Sequence, residues 1–318
     1  MAEVLTAAEL TTAEVDRIYD RVRNWGRWGA ADERGTLNLL TDAVRARAGA
    51  LVRDGASISM AHDLAVFPSA ETPFPAQHHM LHSGDCLDAS GVPGYEATAD
   101  YIGTQVHGLG LTHVDALSHM FVRGKTYNGF LPEDVKSNGA LRNTIMSMAN
   151  GVVGRGVLLD VPAALGVEWL PPTRSVRLAD LLAAEKRQKV EVREGDILMI
   201  STGRDLRRAS QKGVLNPFTE GLSGLHAECL PYLHERGVAV LGSDGISDHM
   251  PFISIPDWPF PIHQIGIVGI GLHLIDNMNL SPISQACAAR SRWEFLFTMN
   301  PLRIPKGTGC PANPVAVF

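Results

Sequence analysis

The sequence predicts a mixed α/β fold, with a mixed sheet or partly closed β-barrel core flanked by helices, on three observations. Short runs rich in Val, Ile and Leu recur from Ser57 onward, bounded by glycine and polar turns. Helical stretches with recognisable start and stop signals lie between those runs. The residues before Ser57 carry helical patterning of their own, so 1–55 reads as an N-terminal helical extension and 56–318 as the main domain.

Taken in order, Val15, Ile18, Tyr19 and Val22 fall at i, i+3, i+4 and i+7, the apolar stripe of a helix over Thr12 to Asn24 with Thr11 or Thr12 as N-cap. A loop with alternating Gly and Trp leads to a second helix over Thr41 to Arg53. Strands are expected at Ser57 to Met60, Val153 to Val161, Asp196 to Thr202, Val238 to Gly242 and Gln264 to Ile270. Between them, helices are expected over Arg177 to Lys186 and Ser223 to Arg236, the latter ended by Gly237.

Composition narrows the functional class. Apolar residues make up 45% and charged residues 19%, which is ordinary for a globular protein. The net charge of -6, with no Lys/Arg-rich run, argues against a nucleic-acid partner. The first residues lack a basic segment followed by an apolar one, and no apolar run reaches the ~18 residues a membrane helix needs, so a cytoplasmic chain without membrane contact is expected. Cys86, Cys229, Cys287 and Cys310 are widely spaced, as free thiols of a reducing compartment would be.

The most informative stretch is HGLGLTHVDALSHM, residues 107–120. In a strand or tight turn, His113 and Asp115 face the same side and can converge on one point. Imidazole with carboxylate suits a first-row divalent ion such as Zn or Mn. His119 follows close behind as a ligand or a general acid/base, and His107 lies six residues upstream of His113. A metal held by His113 and Asp115 needs further ligands. His263 and His273, in an apolar run that ends at Asp276, are the economical long-range candidates. The same run also suits a core strand whose histidines are satisfied by backbone carbonyls.

Other features carry two readings each. His78, His79 and His82 could line a pocket or form a metal cluster, although a solvent-exposed loop suffices. Asn128 could bond substrate or simply serve a turn, and Trp25 and Trp28 could wall a substrate or only pack. Cys310 lacks the partner spacing of a nucleophile, and there is neither a G-x-S-x-G elbow nor a nucleotide-binding glycine motif followed by a helix.

These motifs resemble those of the cyclase superfamily of metal-dependent hydrolases, which includes bacterial kynurenine formamidase and isatin hydrolase. The family signature is H-x-G-T-H-x-D-x-P-x-H, and Thr112, His113, Asp115 and His119 fit its second half. The likeness continues through GVLLDV (156–161), GDILMISTG (195–203), residues 221–244, and His263 followed by Gly271 and Asp276. It implies a swivelling β/β/α, cyclase-like fold and hydrolysis of a C–N bond in a small aryl or cyclic amide by a metal-activated water (EC 3.5 class). It further implies His113, Asp115, His263 and Asp276 as ligands to Zn or Mn, with His119 handling protons. The chain departs from the pattern at two ligand positions. Leu109 stands where the family has its first histidine, so His107 would need a bulge to reach the metal, and Asp276 stands where Glu or Gln is usual. Lactone hydrolysis or cyclisation on the same metal site, or a non-catalytic small-molecule binder, are the alternatives. A small-molecule substrate and a homodimer or homotetramer are the expected partners.

Overall fold

Thirteen strands are described, and nine of them form one sheet. They run in chain order as β1 (Ser57–Ser59), β2 (Gln77–His82), β3 (Ala99–Gly103), β4 (His113–Asp115), β5 (Val135–Lys136), β6 (Gly139–Ala140), β7 (Val152–Asp160), β8 (Ile197–Ser201), β9 (Val240–Ser243), β10 (His273–Asp276), β11 (Glu294–Met299), β12 (Gly309–Pro311) and β13 (Val315–Val317). The computed structural model describes residues 10–85, 92–212, 215–250 and 255–318. In the large sheet the order is β1-β13-β11-β7-β8-β9-β10-β4-β12, curled into a half-barrel, while β2 with β3 and β5 with β6 form small hairpins.

The centre of the sheet is parallel, β7 to β8 to β9 to β10, and both flanks are antiparallel. Parallel strands covered on both faces need apolar side chains on both, which is why VLL (157–159) and ILMI (197–200) read as continuous apolar runs. Along β7 and β8 the side chains sort alternately into two cores: Val157, Leu159, Leu198 and Ile200 into one, Leu158, Ile197 and Met199 into the other. Residues Ser57 to Ser59, Val153 to Asp160, Ile197 to Ser201 and Val240 to Gly242 thus lie in strands as expected.

Helices cover the sheet. The first, α1 (Thr12–Val22), starts at a capping box in which Thr11 and Glu14 satisfy each other's backbone, and it sinks Val15, Tyr19 and Val22 into the first core. Thr41 caps α2 (Asp42–Gly49), which ends short of Arg53. The remaining helices are α3 (Val161–Leu165), α4 (Leu178–Gln188), α5 (Arg204–Ser210), α6 (Pro217–Glu220), α7 (Leu230–Glu235) and α8 (Ser281–Arg290). The stretch from Ser223 is helical only from Ala227, first as a 3₁₀ turn and then as α7, and Gly237 follows with φ +63°.

One expectation is overturned. Residues Gln264 to Ile270 form no strand; they belong to a π-helix, Ile262–Ile270. Ile and Val favour strands on a pleated surface, but here nearly every side of the run is buried, so the alternation that separates strand from helix is missing. Tertiary partners satisfy the end of this wide helix. Trp25 Nε1–H donates to the Val268 carbonyl at 2.7 Å, Asn24 N–H to Gly269 at 3.0 Å, and Asn24 Nδ2–H to Ile270 at 3.0 Å. Among the described residues, no helix is long and apolar enough to cross a membrane. Cys229, Cys287 and Cys310 are free and buried, and Cys86 lies outside the described residues.

Candidate metal centre

Strand pairing builds the site. His113 and Asp115, two residues apart on β4, point to one side while Val114 enters the opposite core. Asp276 on β10 is the direct cross-strand neighbour of His113, and Gly309 on β12 is that of Asp115. His263 arrives from the first turn of the π-helix. Its Nε2 lies 3.2 Å from Asp276 Oδ2 and 3.5 Å from Asp115 Oδ2. His107 needs no bulge within a strand: it sits in the irregular segment before β4, where Gly108 takes φ +102°. His107 Nδ1 is 2.8 Å from Asp115 Oδ1, and its Nε2 is 3.0 Å from Thr308 Oγ1. A Cβ at Gly309 would stand 2.7 Å from His107 Cε1, so the glycine clears the space this ring occupies. Leu109, in the family's histidine position, packs with Leu222 and Met250 instead.

Asp115 is the hub. It is fully buried, and its Oδ2 has no hydrogen-bond partner, a costly arrangement for a carboxylate unless a cation completes it. Two overlapping donor groups include it, His107–Asp115–His119 and His113–Asp115–Asp276, each with ligand atoms within 4.8 Å of one another. Imidazole nitrogens with carboxylate oxygens suit a divalent transition ion, and the residues present fit one. His113 Nδ1 is held at 3.0 Å by the Leu111 carbonyl, which leaves Nε2 facing Asp115 Oδ1 at 3.5 Å.

Electrostatics separate the histidines. Burial pushes His119 down to about 4, with the imidazoles of His107, His263 and His113 adding to that effect against the pull of Asp115. For His263 burial also acts downward, yet the carboxylates of Asp276, Asp115 and Asp248 outweigh it and hold the ring well above its usual range. His119 stacks face to face on His107, with centroids 3.7 Å apart. His273 stands apart from the cluster. Its Nδ1 lies 3.0 Å from the Asp115 carbonyl and its Nε2 3.3 Å from that of Arg34, as a core histidine satisfied by the backbone would.

The cluster floors a cavity of about 410 Å³ walled by Phe74, Met120, Phe218, Ile246, Met250 and Phe260. Among the described residues no Lys or Arg lines it, and its Glu71 is taken up by Arg204 and Arg208. Three residues expected at the substrate lie elsewhere. Trp25 is spent on the π-helix carbonyl. Trp28 lies under Arg27 and against the second core. Asn128, at φ +61°, donates to the carbonyls of Gly29 and Asp32 and accepts from Gly26 N–H, which pins the N-terminal loop. None of the three lines the cavity. His78, His79 and His82 belong to the exposed strand β2 rather than to a loop, with His78 Nε2 2.7 Å from Asp100.

Sequence reasoning missed Ser247, Asp248 and Thr308. The polar run SDGISDH preceding PFPIH, and the GTGCP tail, were the available signals.

With this geometry, comparison with known proteins is decisive for the family. A family model described as "Putative cyclase" matches residues 56–248, more than half of the chain. The chain belongs to the cyclase family. A crystal structure described as a novel cyclase is 28% identical, with a TM-score of 0.83 over 93% of this chain and 99% of that one. The fold is shared with isatin hydrolase A from Labrenzia aggregata, solved with benzyl benzoate bound, at 21% identity and TM-score 0.59 over 85% of this cyclase-family chain and 94% of that one. An isatin hydrolase bound to the product analogue thioisatinate aligns at 17% identity and TM-score 0.59, again over 85% and 94%. No curated protein sequence matches.

Proposed function

We propose that this chain is a metal-dependent hydrolase that cleaves the C–N bond of a small aryl or cyclic amide. The observation that carries the proposal is Asp115, buried with an unpartnered oxygen among His107, His113 and His263 at the floor of an apolar cavity. His113, Asp115, Asp276 and His107, joined by His263, whose Nε2 faces Asp276 and Asp115, would hold Zn or Mn. A divalent cation so held supplies a Lewis acid and lowers the pKa of water toward neutrality.

The remaining chemistry falls to side chains. His119, kept neutral near pH 7 by burial, can accept a proton from the attacking water on a ring nitrogen. Water oxygen adds to the carbonyl carbon, the C–N bond breaks, and His119 returns the proton to the departing nitrogen. Phe74, Phe218 and Phe260 offer flat apolar contact, and a cavity with no Lys or Arg among its described lining favours an uncharged substrate over an anionic one. The relatives described as isatin hydrolases are in keeping with a cyclic amide.

The test is turnover of N-formyl anilines, cyclic imides and lactones, with the protein's metal content measured beside it. Amide turnover lost to a chelator and restored by Mn or Zn is the expected result. Lactone turnover alone would shift the assignment to ester chemistry. Leu109, in the histidine position, motivates the non-catalytic reading, which ligand binding without any turnover would establish. We further propose a cytoplasmic homodimer or homotetramer. Met80, Leu81, Tyr101 and Ile102, exposed on the β2–β3 hairpin, support self-association.

A further inference from the structure

We infer that Ser247 and Asp248 are positioning residues that aim His263 and Asp276 at the cation; the inference rests on the metal-dependent reading above. Both are buried, and neither belongs to the donor groups. Asp248 Oδ2 lies 2.7 Å from His263 Nδ1, which keeps a proton on that nitrogen and assigns Nε2, facing Asp115 and Asp276, to the cation once the cation displaces the Nε2 proton. The same carboxylate accepts the N–H of Ile262 at 2.8 Å and of His263 at 3.0 Å, so ring and backbone of the ligand are gripped together. Ser247 Oγ–H donates to Asp276 Oδ1 at 3.2 Å, which occupies one oxygen and leaves Oδ2, the one near His263, for the cation.

The turn itself is built to hold this aim. Ser247 adopts φ +60°, an uncommon conformation for a residue with a Cβ. Its N–H is taken by Ser243 Oγ at 2.8 Å, and its carbonyl by Leu225 N–H at 2.7 Å. Met250 and Leu222 exchange both backbone hydrogen bonds, at 2.7 and 2.8 Å. Gly224 faces Asp248 so closely that any Cβ there would collide with the Asp248 carbonyl. A strained turn clamped on both sides, with its two polar side chains directed at two members of one cluster, goes beyond what capping the π-helix requires.

The experiment measures Zn, Mn and Co(II) affinity by competition with a chromophoric chelator, and the visible spectrum of the Co(II) form, in wild type, Asp248→Asn and Ser247→Ala. Asp248→Asn is expected to weaken binding by about 10- to 100-fold, the usual effect of an outer-shell carboxylate, and to alter the Co(II) bands. Ser247→Ala is expected to weaken binding several-fold, with its melting temperature retained. An Asp248→Asn protein with a lower melting temperature but unchanged affinity and spectrum would reduce Asp248 to a helix cap and overturn the inference. Should that variant fail to fold, unchanged affinity in Ser247→Ala overturns it equally. Wild type that binds none of the three ions would instead sink the metal-dependent reading, and the inference with it.

Discussion

Neutralising Asp115 should abolish the protein's thermal response to divalent cations. The side chain belongs to both donor groups, and its oxygens lie 2.8 Å from His107 and 3.5 Å from each of His113 and His263. Asparagine keeps the volume but removes the charge, and one of its two positions becomes an N–H donor facing the cation. A cation at a hundred times its Kd stabilises the folded state by about 2.7 kcal/mol. At about 2.1 cal/mol/K per residue, a chain of 318 residues unfolds with an entropy near 0.7 kcal/mol/K, so the expected rise in melting temperature is about 4 °C. The assay strips both proteins with chelator and scans each with and without Mn or Zn. Wild type should gain those degrees and Asp115→Asn none. An equal gain in the variant would refute the argument, because it would place the stabilising cation away from this carboxylate.

Three further outcomes follow from the same geometry. On the proposed role of His119 as a proton carrier, His119→Ala should lower kcat by about 10²- to 10⁴-fold while keeping the cation-dependent shift; loss of both together would make it a ligand. Trp25→Phe removes the donor to the buried Val268 carbonyl and should cost about 1–3 kcal/mol in urea unfolding with KM unchanged, whereas a raised KM at full stability would return Trp25 to the substrate. Burial pushes His273 down to about 4, below its value in the unfolded chain near ~6.5. The unfolded state therefore takes up a proton first as pH falls, so stability should drop between about pH 6.5 and 4, by up to about 3 kcal/mol. His273→Asn should flatten that part of the profile, and an unaltered slope would show that the ring is not the cause.

What the sequence made legible was whatever depends on neighbours in the chain. The i, i+2 relation of His113 and Asp115, the stripe of α1 with its Thr11 cap, and the apolar runs of β7 and β8 all follow from local periodicity. Gln264 to Ile270 failed because a run buried on nearly every side carries no alternation, and its β-branched residues then argue for the wrong element. Trp25 and Asn128 failed for a related reason. Both look like substrate contacts in a Gly-rich loop, and both are consumed by orphaned backbone groups of elements far along the chain, 243 residues away for Trp25 and 102 for Asn128.

The site's departures from the family motif become intelligible once pairing is considered. A histidine at position 109 would belong to the chain running into β4; Leu109 instead turns to Leu222 and Met250, and the imidazole found beside Asp115 is that of His107, two residues earlier. That displacement works only because backbone on both sides permits it: Gly108 takes a conformation few other residues adopt, and Gly309, opposite Asp115 on β12, leaves room for the ring. Thr308 then holds the far nitrogen of His107. The tail residues 307–311, which read as turns in isolation, are therefore part of what lets His107 stand beside Asp115. Local spacing shows only that Leu109 stands in the motif's first histidine position; the register of β12 on β4 shows how an imidazole comes to lie beside Asp115 all the same.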